Sequence, residues 1–128
     1  MAILIDLHVF IWMTSDDPQI SSRAREAILN EDRILLSIVS VWELAIKYSL
    51  GMLWPTEDVF GKFISESIRL CRAEILPVTV DHTVALTSLP MLHRDPFDRM
   101  LIAQSIAEKI PIVTHDSQIR EYACDVVW

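Results

Sequence analysis

Short runs of β-branched and aliphatic residues alternate along this chain with longer stretches of helical spacing. A sheet of mainly parallel strands with helices on its faces accommodates that rhythm. The first run is Ala2 to Ile5, ended by Asp6, and a short helix follows over His8 to Met13. Asp16-Asp17-Pro18 makes a turn. Ser21 or Ser22 can cap a helix through Leu29, on which Ala24, Ala27 and Ile28 are spaced for one packed face. Ile34 to Ile38 is a second strand, and Val41 to Leu50 a helix closed by Gly51. Pro55 and Thr56 open a longer helix to about Arg72, with Val59, Phe60, Phe63, Ile64, Ser67 and Leu70 along an apolar stripe. Ile75 to Val78 is a third strand, and Asp81 to Ser88 a short helix that stops before Pro90. Pro96 starts a helix that runs to Glu108 and packs through Met100, Leu101, Ala103 and Ala107. Ile112 to Thr114 is a fourth strand, Ser117 to Tyr122 one or two turns, and Val126-Val127 a short last strand. The expected fold class is α/β, with a central, mainly parallel sheet of four to five short strands flanked by helices.

At 128 residues, the chain fits a single domain spanning 1–128, and a hydrophobic fraction of 52% suits a packed core. Only two glycines are present, which nearly excludes a glycine-rich phosphate loop. Apolar runs such as RILLSIVSVW stop well short of the roughly 20 residues a bilayer requires. The start, MAILIDLHVFIW, lacks a basic leader and a small-residue cleavage site, so it reads as a strand and not a signal peptide. Cys71 and Cys124 have neither CxxC nor metal-ligand spacing, as expected of reduced thiols in a cytoplasmic protein with no membrane partner.

Net charge is −7, which by itself argues against nonspecific nucleic-acid binding. Four of the acids stand out by position. Asp6 and Asp116 each follow a strand at its carboxyl end, where open α/β sheets bind ligands. Glu43 interrupts the apolar run SVWELAI, and Asp98 lies in HRDPFDRM near a helix start. Each has a local explanation as well. Asp6 and Asp116 can cap helices. Ser40 and Glu43 have capping-box spacing. Asp95 can be an N-cap, with Pro96 at N1 and Asp98 at N3. Capping does not explain why four elements end in acids on one side of a sheet. Clustered carboxylates without thiolate suit hard, oxygen-preferring Mg²⁺ or Mn²⁺, ions that activate water and clamp the oxygens of a phosphodiester.

The segments ILIDLHVFIW (3–12), LLSIVSVWELAIKYSLGML (35–53) and LPMLHRDPFDRMLIAQSIAEKIPIVTHD (89–116), with the closing Val-Val-Trp, resemble the PIN domain family, and most closely its VapC-type toxins. The resemblance implies a three-layer PIN-like domain. It implies metal-binding and catalytic roles for Asp6, Glu43, Asp98 and Asp116, and cleavage of RNA with Mg²⁺ or Mn²⁺. A small antitoxin partner with a basic or DNA-binding region and a homodimer are also implied. Thr114 matches the family's T-x-D pattern. One position departs: where the family usually has Thr or Ser after its first Asp, this chain has Leu7.

Other residues carry weaker signals. Ser40 and Asp95 lie beside the acids, and Arg94 or Arg99 could bind a substrate phosphate or pair with a nearby acid. Lys47 sits one turn beyond Glu43. The histidines His8, His82, His93 and His115 form no HExxH or finger spacing, and Trp12, Trp42, Trp54 and Trp128 could stack bases but more commonly pack a core or interface. The leading expectation is a metal-dependent endoribonuclease, probed by loss of RNA cleavage in Asp6→Asn. The four acids carry over half of the negative excess, and the remainder suits a basic partner. The alternative, motivated by Leu7, is a catalytically weakened PIN-like binding module acting through a protein partner or RNA. A phosphotransfer domain fits less well, because Asp6 is followed by Leu7-His8 and not by x-Asp, and neither a receiver's adjacent acid pair nor its late strand-end lysine is in place.

Overall fold

The computed structural model describes residues 1–51 and 59–128. Its elements are β1 (Ala2–Ile5), α1 (Leu7–Thr14), α2 (Ser22–Asn30), β2 (Arg33–Ser37), α3 (Ile38–Ser49), α4 (Phe60–Leu70), β3 (Ala73–Leu76), α5 (Val80–Thr87), α6 (Pro96–Glu108), β4 (Ile112–Val113), a 3₁₀ turn at Ile119–Glu121, and β5 (Val126–Val127). The five strands form one sheet in the order β3-β2-β1-β4-β5, and every pairing is parallel. The expected α/β class with four to five short strands is what the chain adopts.

Side-chain alternation along the strands sorts the core into two layers. Ile3 and Ile5 of β1, Ile34 and Leu36 of β2, and Val113 of β4 face one side, where Val9 and Phe10 of α1, Ala24 of α2, Leu44 of α3 and Ile64 of α4 cover them. Leu4, Leu35 and Ile112 face the other side, against Leu101 and Ile102 of α6 with Ile119 and Tyr122. The sheet is therefore the middle of three layers. Burying each of these large aliphatic side chains is worth about 1.5–3 kcal/mol against leaving it in water.

Several element boundaries differ from expectation, for local reasons. Helix α3 begins at Ile38 and not Val41, because Ser37 caps it: its Oγ accepts from the Val39 N–H at 3.1 Å. Ser40 is thus inside the helix, and the expected Ser40–Glu43 capping box does not form. Helix α5 begins at Val80 through a different box. The Thr79 N–H donates to His82 Nδ1 at 3.0 Å, and the His82 N–H to Thr79 Oγ1 at 3.3 Å. With Nδ1 accepting, the His82 ring carries its proton on Nε2 and donates it to Glu108 at 2.8 Å, tying α5 to α6. β2 and β3 each lie one or two residues earlier than expected. Gly51, at φ 68, closes α3 as expected. The expected opening of α4 at Pro55 and Thr56, and the residue Trp54, lie outside the described residues; of the expected stripe, Phe60, Phe63, Ile64 and Ser67 turn inward, whereas Val59, which caps the helix, and Leu70 are exposed. Cys71 and Cys124 are free thiols, and burial pushes the Cys71 thiol up to about 11. Among the described residues, no helix is long and apolar enough to cross a membrane.

Candidate metal centre

β1 and β4 are neighbours, with Ile5 paired to Val113, so the residues that follow them emerge side by side at the carboxyl end of the sheet. Asp6 is 6% exposed and caps α1, its Oδ1 accepting from the Val9 N–H at 2.8 Å. Its other oxygen, Oδ2, accepts a short hydrogen bond from the Thr114 hydroxyl. Thr114 Oγ1 in turn accepts from the Asp116 N–H at 3.0 Å, and Asp116 Oδ1 from the Gln118 N–H at 2.8 Å. One buried threonine thus ties the two strand ends together. Burial raises the Asp6 pKa, the Thr114 and Val9 donors work against that rise, and the Asp116 charge adds to it.

Glu43 approaches from α3, half-buried, with Lys47 Nζ 3.7 Å from its Oε1. Burial raises its pKa, Lys47 opposes the rise, and the charges of Asp95 and Asp6 add to it. Asp98 comes from the first turn of α6. Asp95 caps that helix as expected, its Oδ1 accepting from the N–H groups of Phe97 at 2.9 Å and Asp98 at 3.2 Å, with Pro96 at N1. The Asp98 pKa is pushed up to about 7, first by burial and then by the charges of Asp95 and Asp116.

The predicted acids therefore share one electrostatic neighbourhood. Asp6 feels Asp116, Glu43 feels Asp6 and Asp95, and Asp98 feels Asp95 and Asp116. All the donors are oxygens, which fits a hard divalent cation. As the side chains stand, no three His, Cys, Asp or Glu groups among the described residues are gathered tightly enough to enclose an ion.

The weaker candidates separate. Arg99 is committed to the protein itself: its Nη1 donates to the Pro90 carbonyl at 2.8 Å and to the Tyr122 hydroxyl at 3.0 Å, not to an acid. Arg94 is exposed and makes no hydrogen bond or ion pair among the described residues, which leaves it available to a phosphate. The Ser40 hydroxyl is buried with no partner among the described residues. Trp42 is not a core residue. It is 60% exposed, meets Phe97 edge-on at 5.2 Å, and borders an apolar groove with Ile38, Val78, Leu86 and Met100.

Residues 3–124 match the sequence profile of the PIN domain. The chain belongs to the PIN domain family. A relative of this PIN domain is Ribonuclease VapC22 of Mycobacterium tuberculosis, 27% identical, with 94% of this chain and 91% of the relative covered. VapBC2 from Rickettsia felis, solved bound to a promoter DNA fragment, contains a chain of the same fold: the TM-score is 0.72 at 16% identity, covering 98% of this chain and 97% of that one. VapBC from Salmonella typhimurium, also DNA-bound, gives a TM-score of 0.68 at 14% identity over 98% of this chain and 96% of the other.

Leu7, the departure from the PIN pattern, sits at the start of α1 with its side chain in the core beside Ile5, Val9 and Phe10. It takes no place in the carboxylate cluster. The site residues that escape a reading of the sequence are His93 and Tyr122. His93 Nε2 lies 3.4 Å from Asp98 Oδ2, and its Nδ1 lies 2.8 Å from the Tyr122 hydroxyl. His93 stands five positions before Asp98 in a proline-bounded loop, a faint signal. Tyr122, 24 positions after Asp98 in sequence, carries none.

Proposed function

We propose that this PIN domain is a metal-dependent endoribonuclease that hydrolyses RNA phosphodiester bonds, working as the toxin of a toxin–antitoxin pair. The observation that supports this reading is that Asp6, Glu43, Asp98 and Asp116, from four separate parts of the chain, lie within electrostatic reach of one another, with Asp6 and Asp116 following neighbouring strands. The relative VapC22 is a ribonuclease, which supports the substrate class.

In this reading residues 1–128 act as a single nuclease domain, and Asp6, Glu43, Asp98 and Asp116 hold Mg²⁺ or Mn²⁺. When bound, such an ion supplies Lewis acidity toward the phosphate and lowers the pKa of water. The chain supplies position. Thr114 orients Asp6 and the Asp116 backbone, Asp95 rigidifies the first turn beneath Asp98, and Arg94 offers a cation to the substrate phosphate. No single acid is assigned as general base. The alternative of a weakened binding module rests on Leu7, whose side chain packs in the core away from the carboxylates.

The partners follow from charge and exposure. With a net charge of −7, a small antitoxin carrying a basic region is the complementary partner. The exposed apolar side chains Ile38, Trp42, Val80 and Val84 suit a second copy of the chain, making a homodimer in the cytoplasm. The test is cleavage of a labelled RNA in Mn²⁺ or in chelator, with wild type, Asp6→Asn and Asp98→Asn. Cutting is expected only from wild type with metal. Full activity in either variant would sink the mechanism.

A further inference from the structure

Beside the carboxylates lies a cavity of about 310 Å³ lined by Asp6, His8, Trp12, Gln19, His115 and Asp116. Half of its lining is aromatic, and the rings come from two elements. His8 and Trp12 lie one turn apart on α1, with centroids 6.0 Å apart, and Trp12 is 6.5 Å from His115, which follows β4. Trp128 backs this group, 5.9 Å from Trp12 and 5.1 Å from His115, and both tryptophans pack on the core. His8 and His115 present exposed rings, while their tryptophan neighbours are held.

We propose that these rings form a nucleobase-stacking subsite, which holds the base next to the scissile phosphate once the strand is unstacked. The inference rests on the ribonuclease reading above and names how that site grips its substrate. Two carboxylates of the candidate metal centre line the same cavity, so a base seated there is attached to a phosphate at the carboxylates. A single-stranded nucleic acid is gripped mainly by aromatic faces and by backbone charge. This chain has little positive charge to spend on the backbone, so aromatic faces must carry more of the grip. Gln19, exposed at the rim, adds an amide that can meet a base edge.

The test is an abasic scan. A labelled single-stranded oligoribonucleotide that the protein cuts is remade with each position in turn lacking its base. Cleavage is measured with wild type, with the double variant His8→Ala/His115→Ala, and with His8→Phe/His115→Phe. In wild type, one abasic position adjoining the cut is expected to lower kcat/KM by about tenfold or more, within the range that stacking one base supplies. In the alanine variant, cutting of intact RNA falls by a similar factor and the abasic position has no further effect. In the phenylalanine variant, most of the sensitivity returns. Both histidines are exposed, so an unchanged melting midpoint is expected and separates stacking from folding. Equal abasic effects in wild type and the alanine variant, with cutting still lost in Asp98→Asn, overturn the subsite and leave the ribonuclease reading standing. The subsite is likewise overturned, and the ribonuclease reading kept, if the variants cut normally and lose only affinity for a protein partner. Failure to cut any RNA in any divalent ion overturns both.

Discussion

The hydroxyl of Tyr122 fixes the proton of His93. Its oxygen receives the His93 backbone N–H at 3.2 Å and Arg99 Nη1 at 3.0 Å, so its own hydrogen goes to His93 Nδ1, 2.8 Å away. With Nδ1 accepting, Nε2 is the nitrogen that faces Asp98 Oδ2 as a donor. Tyr122 is buried at the end of the chain's 3₁₀ turn and Asp98 in the first turn of α6, so the pair locks one carboxylate to a distant loop.

Tyr122→Phe is expected to cost about 1–3 kcal/mol of stability, because it strips a buried donor and acceptor from three partners. RNA cleavage should fall more than the melting midpoint alone accounts for, since Asp98 loses its fixed neighbour. Denaturant unfolding alongside cleavage kinetics at a temperature well below the midpoint checks both. A variant with normal kinetics would show that Asp98 needs no such support.

Thr114→Val keeps the shape of the side chain and removes the hydroxyl that bonds Asp6 and accepts from Asp116. Asp6 then keeps one backbone donor for a buried carboxylate, and its pKa rises further. The expected outcome is a loss of about 1–3 kcal/mol at neutral pH, shrinking in acid as Asp6 protonates. Unfolding curves of both proteins across pH measure it.

Asp98 gives the metal-free protein a pH dependence opposite to the usual carboxylate case. Its pKa is raised in the fold to about 7 from 3.8, so between these values the native state binds more protons than the unfolded state. Stability on this account is full below the lower value and is lost as pH climbs through the upper one. The slope is at most about 1.4 kcal/mol per pH unit. Asp98→Asn should flatten it. Added Mn²⁺ should stabilise the wild type more at pH 8 than at pH 5, by about 2.7 kcal/mol in total at the pH where it stands at a hundredfold excess over Kd. Differential scanning calorimetry in chelator and in Mn²⁺ tests the whole set.

Ser37 and Ser40 make a matched pair. Ser37→Ala removes a helix cap and is expected to cost about 1 kcal/mol. The Ser40 hydroxyl is buried without a partner among the described residues, so Ser40→Ala should leave the melting midpoint unchanged or raise it. An equal drop in both would mean that Ser40 holds a bond in solution.

The acids at the strand ends were legible because the strands themselves were: β1 and β5 fall where aliphatic runs predict them, and α6 begins at the proline that predicts it. Asp6 and Asp116 follow from that placement with no further information. Ser37 was hidden because a serine at the end of β2 and one inside α3 look alike in sequence, and only the backbone geometry selects the cap. His93 with Tyr122, and the ring cluster of His8, Trp12, His115 and Trp128, depend on contacts across long stretches of chain that no local period encodes. Leu7 shows what the sequence leaves out. The motif marks it as a departure from the family pattern, and only the structure shows that its side chain packs in the core.

The bond between Thr114 and Asp6 joins residues 108 positions apart. Synthesis proceeds from the amino end, and domains fold as units once enough chain has emerged. A nascent chain therefore carries Asp6 and Glu43 before Thr114 or Asp116 has been made. The cluster is therefore a late product of synthesis: its two halves meet only after the strand that carries Thr114 has been made and has paired with β1.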